Sequence, residues 1–186
     1  MIDKVKAAGI ANRTIILYVD DNGSGVRVHS VFNGQDIQGG KGHPYMSGTR
    51  APMIAWSPGN ILPAINNNLV DFTDFLPTIA GIAKVPVPTT YGPIDGVSFY
   101  PNLIGNRGTP RSWVFCHYDQ NEEGQGINPI QRWVNNSTYK LFDTTGLFYN
   151  IAKDTLEANP IPDAQLTTSQ KKVKNNFQQV LSTLHN

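Results

Sequence analysis

Apolar residues in this chain fall into short blocks separated by long polar or glycine-rich stretches. Thr14-Ile15-Ile16-Leu17-Tyr18-Val19 has strand length and a β-branched, aromatic content with no polar alternation. It predicts a strand over Thr14–Val19 covered on both faces, as in a parallel sheet. Met53-Ile54-Ala55-Trp56 predicts a second buried strand, closed by Ser57-Pro58-Gly59. Ile2 to Ala8 reads as the end of an amphipathic helix stopped by Gly9. Leu69 to Ala83 predicts a helix with Val70, Phe72, Phe75, Leu76 and Ile79 on a broad apolar face. Pro77 should lie in its first turns or kink it. Between these blocks, Asn22 to Met46 reads mostly as loop, and Lys84 to Pro101 as an extended Pro- and Gly-rich connection.

From Trp113 the texture changes. Trp113–Tyr118, Arg132–Asn135, Tyr139–Phe142 and Leu147–Asn150 are four short strand candidates. Asn135-Asn136-Ser137 and Asp143-Thr144-Thr145-Gly146 supply turns between the last three, and such close spacing favours an antiparallel meander. Thr167-Thr168-Ser169-Gln170 caps a final helix carrying Val173, Phe177, Val180, Leu181 and Leu184 at helical spacing. The change of texture divides the chain into 1–110 and 111–186, the second part being a four-stranded sheet with one terminal helix.

At 186 residues the chain suits one domain, or one domain with a small subdomain. A net charge of +1 gives no general reason for nucleic-acid or membrane binding. No apolar run approaches the roughly 18 residues of a spanning helix, and the N-terminus lacks a signal peptide's apolar core. A single cysteine, Cys116, excludes an internal disulfide and a multi-cysteine metal site. A buried, inert thiol is its simplest reading.

Candidate chemistry gathers after the first strand. Asp20-Asp21-Asn22-Gly23 places carboxylate and amide oxygens where that strand ends, the usual ligand position in open α/β sheets. Such oxygens suit a hard divalent cation, although Asn-Gly is also a strong turn signal by itself. Lys41, within Gly39-Gly40-Lys41-Gly42, is either a solvated loop lysine or a cation for an oxyanion, since flanking glycines let backbone approach closely. His43 reads as a surface histidine, and Arg50 as a residue that orients its loop. His117 and Tyr118, at the end of a strand candidate, could line a substrate pocket. Asn12-Arg13-Thr14 and Asn136-Ser137-Thr138 fit glycosylation sequons, a pattern common by chance.

In order along the chain, Asp21-Asn22-Gly23, Gly40-Lys41-Gly42, Gly48-Thr49-Arg50-Ala51-Pro52, Leu69–Thr78, Ile94-Asp95-Gly96-Val97-Ser98, Trp113–Tyr118 and Tyr139-Lys140-Leu141 resemble the second half of a sulfatase of the arylsulfatase A type, in the alkaline phosphatase superfamily. The resemblance implies an α/β fold: part of the sulfatase sheet, its N-terminal half missing, followed by the small four-stranded antiparallel sheet and terminal helix. It implies that Asp21 and Asn22 are half of a calcium shell whose other acidic ligands come from the missing half, with Asp20 behind them. It implies that Lys41 is catalytic, holding a sulfate oxygen, and leaves His117 a candidate substrate contact. The family's nucleophile is a Cys or Ser converted to formylglycine within C/S-x-P-x-R, and Cys116-His117-Tyr118-Asp119-Gln120 does not match that motif. The reading is therefore a sulfuric ester hydrolase segment that is inactive alone, acting within the intact enzyme on a sulfated small molecule or glycan, with no nucleic-acid or membrane partner. A periplasmic or secreted setting is implied for the intact protein. A phosphoester or phosphonate hydrolase of the same superfamily, or a non-catalytic binding or assembly domain, remains open. A sheet lacking its neighbours should also leave an edge through which chains could self-associate.

Overall fold

The computed structural model describes residues 1–32, 34–90, 92–119, 121 and 130–184. In chain order the elements are α1 (Ile2–Ala7), β1 (Ile16–Val19), β2 (His29–Phe32), β3 (Gln35–Gln38), α2 (Met46–Thr49), β4 (Met53–Trp56), α3 (Phe75–Ala83), α4 (Tyr100–Leu103), β5 (Val114–Tyr118), β6 (Gln131–Asn135), β7 (Lys140–Phe142), β8 (Phe148–Tyr149) and α5 (Thr168–Thr183). They belong to two compact units, each built from two chain segments: Met1–Asp20 with Pro52–Ser112, and Asp21–Ala51 with Trp113–Asn186.

In the first unit, β1 and β4 form an antiparallel pair in which Ile16 faces Trp56 and Val19 faces Met53. This corrects the expectation of a parallel, doubly covered strand. Tyr18 and Ile54 sit opposite each other across the pair and are 54% and 61% exposed. Four apolar residues in a row look the same whether one face or both are covered, so the run alone could not separate these cases.

The Leu69–Ala83 region is also refined. A 3₁₀ turn over Phe72–Asp74 leads into α3, which ends at Lys84 in the left-handed region. Pro77 lies within the first turn, as expected from its missing N–H. The predicted apolar face is not the buried one: Phe72, Leu76 and Ile79 are all more than half exposed, whereas Asp74, Pro77, Thr78 and Ala80 are buried. Polar bonds set this orientation. Asp74 accepts hydrogen bonds from the backbone N–H of Asp71 at 2.8 Å and of Val97 at 2.6 Å, and from the Arg111 guanidinium. Thr78 Oγ1 accepts from the Phe99 N–H at 3.0 Å. Buried polar groups must keep partners, so the helix turns its polar positions toward the 97–99 segment at the expense of Leu76 and Ile79. A cleft of about 620 Å³ in this unit is lined by Met53, Trp56, Leu62, Phe99 and Leu103 among others.

The second unit contains the expected meander, in the order β5-β6-β7-β8 with every pair antiparallel. Strand alternation gives the sheet two different faces. Val134, Leu141 and Phe148 meet Leu166, Phe177 and Leu181 to form the core under α5. Trp133, Lys140, Phe142 and Tyr149 belong to the other face. The stretch expected to be loop contains the β2–β3 hairpin, with Val31 opposite Asp36. Asn33-Gly34 is the dipeptide that marks such a hairpin, and Gly34 adopts φ +77°.

α5 begins with the expected capping box. Thr167 Oγ1 accepts from the Gln170 N–H at 3.3 Å, and Gln170 Oε1 accepts from the Thr167 N–H at 2.9 Å. Thr167→Ala is expected to lower the unfolding free energy by about 1 kcal/mol. Thermal or urea unfolding followed by circular dichroism checks this, and no loss would mean that the box does not support the helix.

Candidate functional site

The second unit gathers Asp21, Asn22 and Lys41 on one glycine-packed knot. The Gly23 N–H donates to Gly48 O at 2.8 Å, the Gly40 N–H to Ser47 O at 3.2 Å, and the Lys41 N–H to Ser24 O at 2.9 Å. The chain after Asn22 and the chain around Lys41 are thus both tied to the short helix α2 or to each other. Close backbone approach explains the glycines. A Cβ on Gly23 would lie 2.0 Å from Ser47 O, and one on Gly48 would lie 2.2 Å from Gly40 O. No side chain fits at either position without moving backbone.

Lys41 itself is exposed, as is Asp21, while Asn22 is half-buried. Asn22 Nδ2 donates to Asp21 Oδ2 at 3.3 Å, so an amide and a carboxylate stand side by side. These are hard oxygen donors of the kind calcium takes, but two residues fall well short of the six to eight oxygens it usually collects. Among the described residues no group of three or more His, Cys, Asp or Glu is placed to hold a metal. Asp20 belongs to the first unit and accepts the Tyr18 hydroxyl at 3.0 Å. That hydrogen bond to a carboxylate raises the phenol's pKa.

The loop after Lys41 is held down on the second face of the meander. Tyr118 donates its hydroxyl to Gly42 O at 2.8 Å and packs edge-on against Trp133. The Lys140 ammonium donates to Pro44 O and, at 2.8 Å, to Glu157 Oε2. Glu157 Oε1 accepts from the Met46 N–H at 2.6 Å, at the start of α2. Both side chains of this ion pair are fully buried, and the ammonium lies 4.8 Å from the ring centre of Trp133 and 4.6 Å from that of Phe142. Burial lowers the Lys140 pKa, because desolvation penalises the charged form, while the charge and hydrogen bond of Glu157 work against that shift.

His117 is exposed and alternates with Tyr118 along β5, so it stands on the opposite face of the sheet from the residue that holds the Lys41 loop. His43 is exposed and stacks near Tyr45, with ring centres 6.1 Å apart. Arg50 places its guanidinium 5.4 Å from the ring centre of Phe32 on the hairpin, an orienting contact rather than a ligand position. Cys116 is only partly buried.

Sequence reasoning placed Lys140 only within the Tyr139-Lys140-Leu141 motif, without a role, and missed Glu157. A lysine between the apolar residues Tyr139 and Leu141 in a strand is the available signal for the first. Glu157 gives none, since it sits in a loop with φ +53° and finds Lys140 only through tertiary structure.

The architecture is that of the sulfatases. A solved 2-O GAG sulfatase superposes with a TM-score of 0.71 over 98% of this chain and 38% of its own, at 19% identity. A second solved structure, described as a complex with its substrate D-glucosamine-2-N,6-O-disulfate, gives a TM-score of 0.68 at 21% identity, covering 97% of this chain and 36% of its own. The sequence agrees: the sulfatase family model matches residues 1–85, and arylsulfatase A of Homo sapiens is 31% identical over 124 residues, which is 66% of this chain and 24% of that protein. The chain belongs to the sulfatase family, and it spans between about a quarter and two-fifths of the length of these relatives.

Proposed function

We propose that this chain supplies the anion-holding and part of the metal-holding side of a site that hydrolyses sulfate esters. Lys41 holds a sulfate oxygen and stabilises the negative charge that develops as the S–O bond breaks. A fixed cation at a developing anion is among the largest catalytic effects a protein side chain provides. Asp21 and Asn22 would hold calcium together with ligands beyond their own two side chains, and calcium bound there would polarise the sulfate. The chain contains no C/S-x-P-x-R segment, so it brings no formylglycine nucleophile and should not turn over alone. The substrate class is a sulfated sugar or a sulfated small molecule.

The observation that carries this reading is the knot itself. Gly23, Ser24, Gly40, Lys41, Ser47 and Gly48 are bonded backbone to backbone, so two hard-oxygen residues and one exposed ammonium belong to a single loop cluster. That is the residue chemistry a metal-assisted sulfate site needs, presented without side-chain bulk around it.

The test is an NMR titration of the labelled chain with sodium sulfate, paired with calorimetry using calcium chloride. Sulfate should move the amide signals of Gly40, Lys41 and Gly42, and Lys41→Ala should abolish the response. Calcium should bind more weakly than about 1 µM, given two ligand residues. Sulfate shifts that persist in Lys41→Ala would remove the anion role, and micromolar or tighter calcium would remove the half-shell. Stronger binding of inorganic phosphate than of sulfate would favour the phosphoester reading.

A further inference from the structure

We infer that Lys140 and Glu157 are positioning residues that fix the Lys41 loop against the second face of the meander. The inference rests on the role proposed for Lys41, but its geometry stands apart from that role. The chain from Gly42 to the start of α2 at Met46 is gripped at three points over five residues. Tyr118 takes the carbonyl of Gly42, Lys140 that of Pro44, and Glu157 the N–H of Met46.

Two of these grips come from one buried ion pair. The ammonium also lies over the rings of Trp133 and Phe142, a cation–π contact that an apolar side chain would exchange for ordinary packing. A fully buried ion pair gains little stability over apolar residues of similar volume. What it adds here is direction. Lysine donates to Glu157 and to a loop carbonyl together, and the carboxylate uses its second oxygen on a loop N–H. An apolar pair could fill the same space and would bind neither backbone group. Lys41 is exposed, so its place is set by backbone: its own N–H on Ser24 O, the Gly40 N–H on Ser47 O before it, and this row of anchors after it.

The test separates anchoring from folding. The double variant Lys140→Met/Glu157→Leu replaces the pair with apolar side chains and should keep the unit folded, as such replacements often do. Native-state hydrogen exchange should then rise by about tenfold or more at the amides of Lys41, His43 and Gly48, while Val134, Leu141 and Phe177 keep their protection, the pattern of local rather than global opening. Glu157→Gln keeps the side chain's shape but leaves one acceptor oxygen where there were two, so it breaks one of the two bonds and leaves the Lys140 ammonium without a carboxylate. It should raise exchange at the same loop amides by more than at Val134, Leu141 and Phe177, and that difference decides the matter if the double variant does not fold. Loop amides that stay as protected as before, or that change only in step with the strands and α5, would overturn the inference.

Sulfate titration of the same variants keeps the two readings distinct. If sulfate binding depends on Lys41 but survives the double variant unchanged, positioning fails and the anion role stands. If Lys41→Ala leaves sulfate binding intact while the loop amides still respond to the double variant, the anion role fails and the anchoring stands.

Discussion

Lys140→Met alone is expected to destabilise the second unit by about 3–5 kcal/mol, the usual cost of removing one partner from a buried ion pair. The single variant leaves Glu157 fully buried, with the Met46 N–H as the remaining donor to its Oε1 and no cation at its Oε2. The carboxylate must then either stay charged out of water or take up a proton, and both are costly. Urea unfolding read by tryptophan fluorescence and by the helical signal of α5 measures the loss. The contrast with the double variant is the informative part. Removing both charges should cost far less than removing one, because the penalty lies in the stranded carboxylate and not in the lost attraction. A single variant within 1 kcal/mol of the wild type would mean that the pair is better hydrated than its burial indicates.

The second large effect concerns chemistry. In a polypeptide that carries this segment within a complete sulfatase domain, Lys41→Ala should lower turnover by roughly 10²–10³-fold, as removal of one charge-stabilising donor does elsewhere. His43→Ala should do much less, since the His43 side chain is exposed and stacks with Tyr45, while its backbone bond to Gly40 O survives the substitution. Steady-state assay on a sulfated chromogenic ester, with kcat and KM separated, gives the comparison. If His43→Ala were the more damaging of the two, the roles assigned on this loop would be wrong. A loss confined to KM would make Lys41 a ground-state binding group rather than one that acts at the transition state.

Some of this architecture was legible because it depends on local rules. The meander and α5 follow from strand blocks separated by turn residues and from the Thr167–Gln170 capping box, whose partners are three residues apart. The stop of α1 at Gly9 is similarly local. The ordered succession of motifs from Asp21 to Leu141 was enough to identify the family, because glycines, charged groups and apolar strand residues recur in it in one order along the chain. The close packing of Gly23 and Gly48 is a case in point: glycine is demanded by an atom of another segment, yet it leaves its mark as a glycine in the sequence.

Other features were decided only when distant segments met. A short apolar run does not reveal how many of its faces will be covered, so β1 and β4 were read as enclosed although Tyr18 and Ile54 face outward. Helical periodicity gave α3 an apolar face, but the buried side went to Asp74 and Thr78, because Arg111, Val97 and Phe99 offered them hydrogen bonds that a buried polar group cannot do without. By itself, then, the sequence determined the family, the C-terminal meander with its helix, and the residue types available for anion and metal chemistry. The tertiary structure alone decided that the 21–51 segment packs with 113–186 and that Lys140 and Glu157 reach across to hold its backbone. The physical reason is range: caps, turns and glycine positions act over a few residues, whereas the partner of a buried charge is chosen by proximity in space, here between residues 96 and 111 positions apart in the chain.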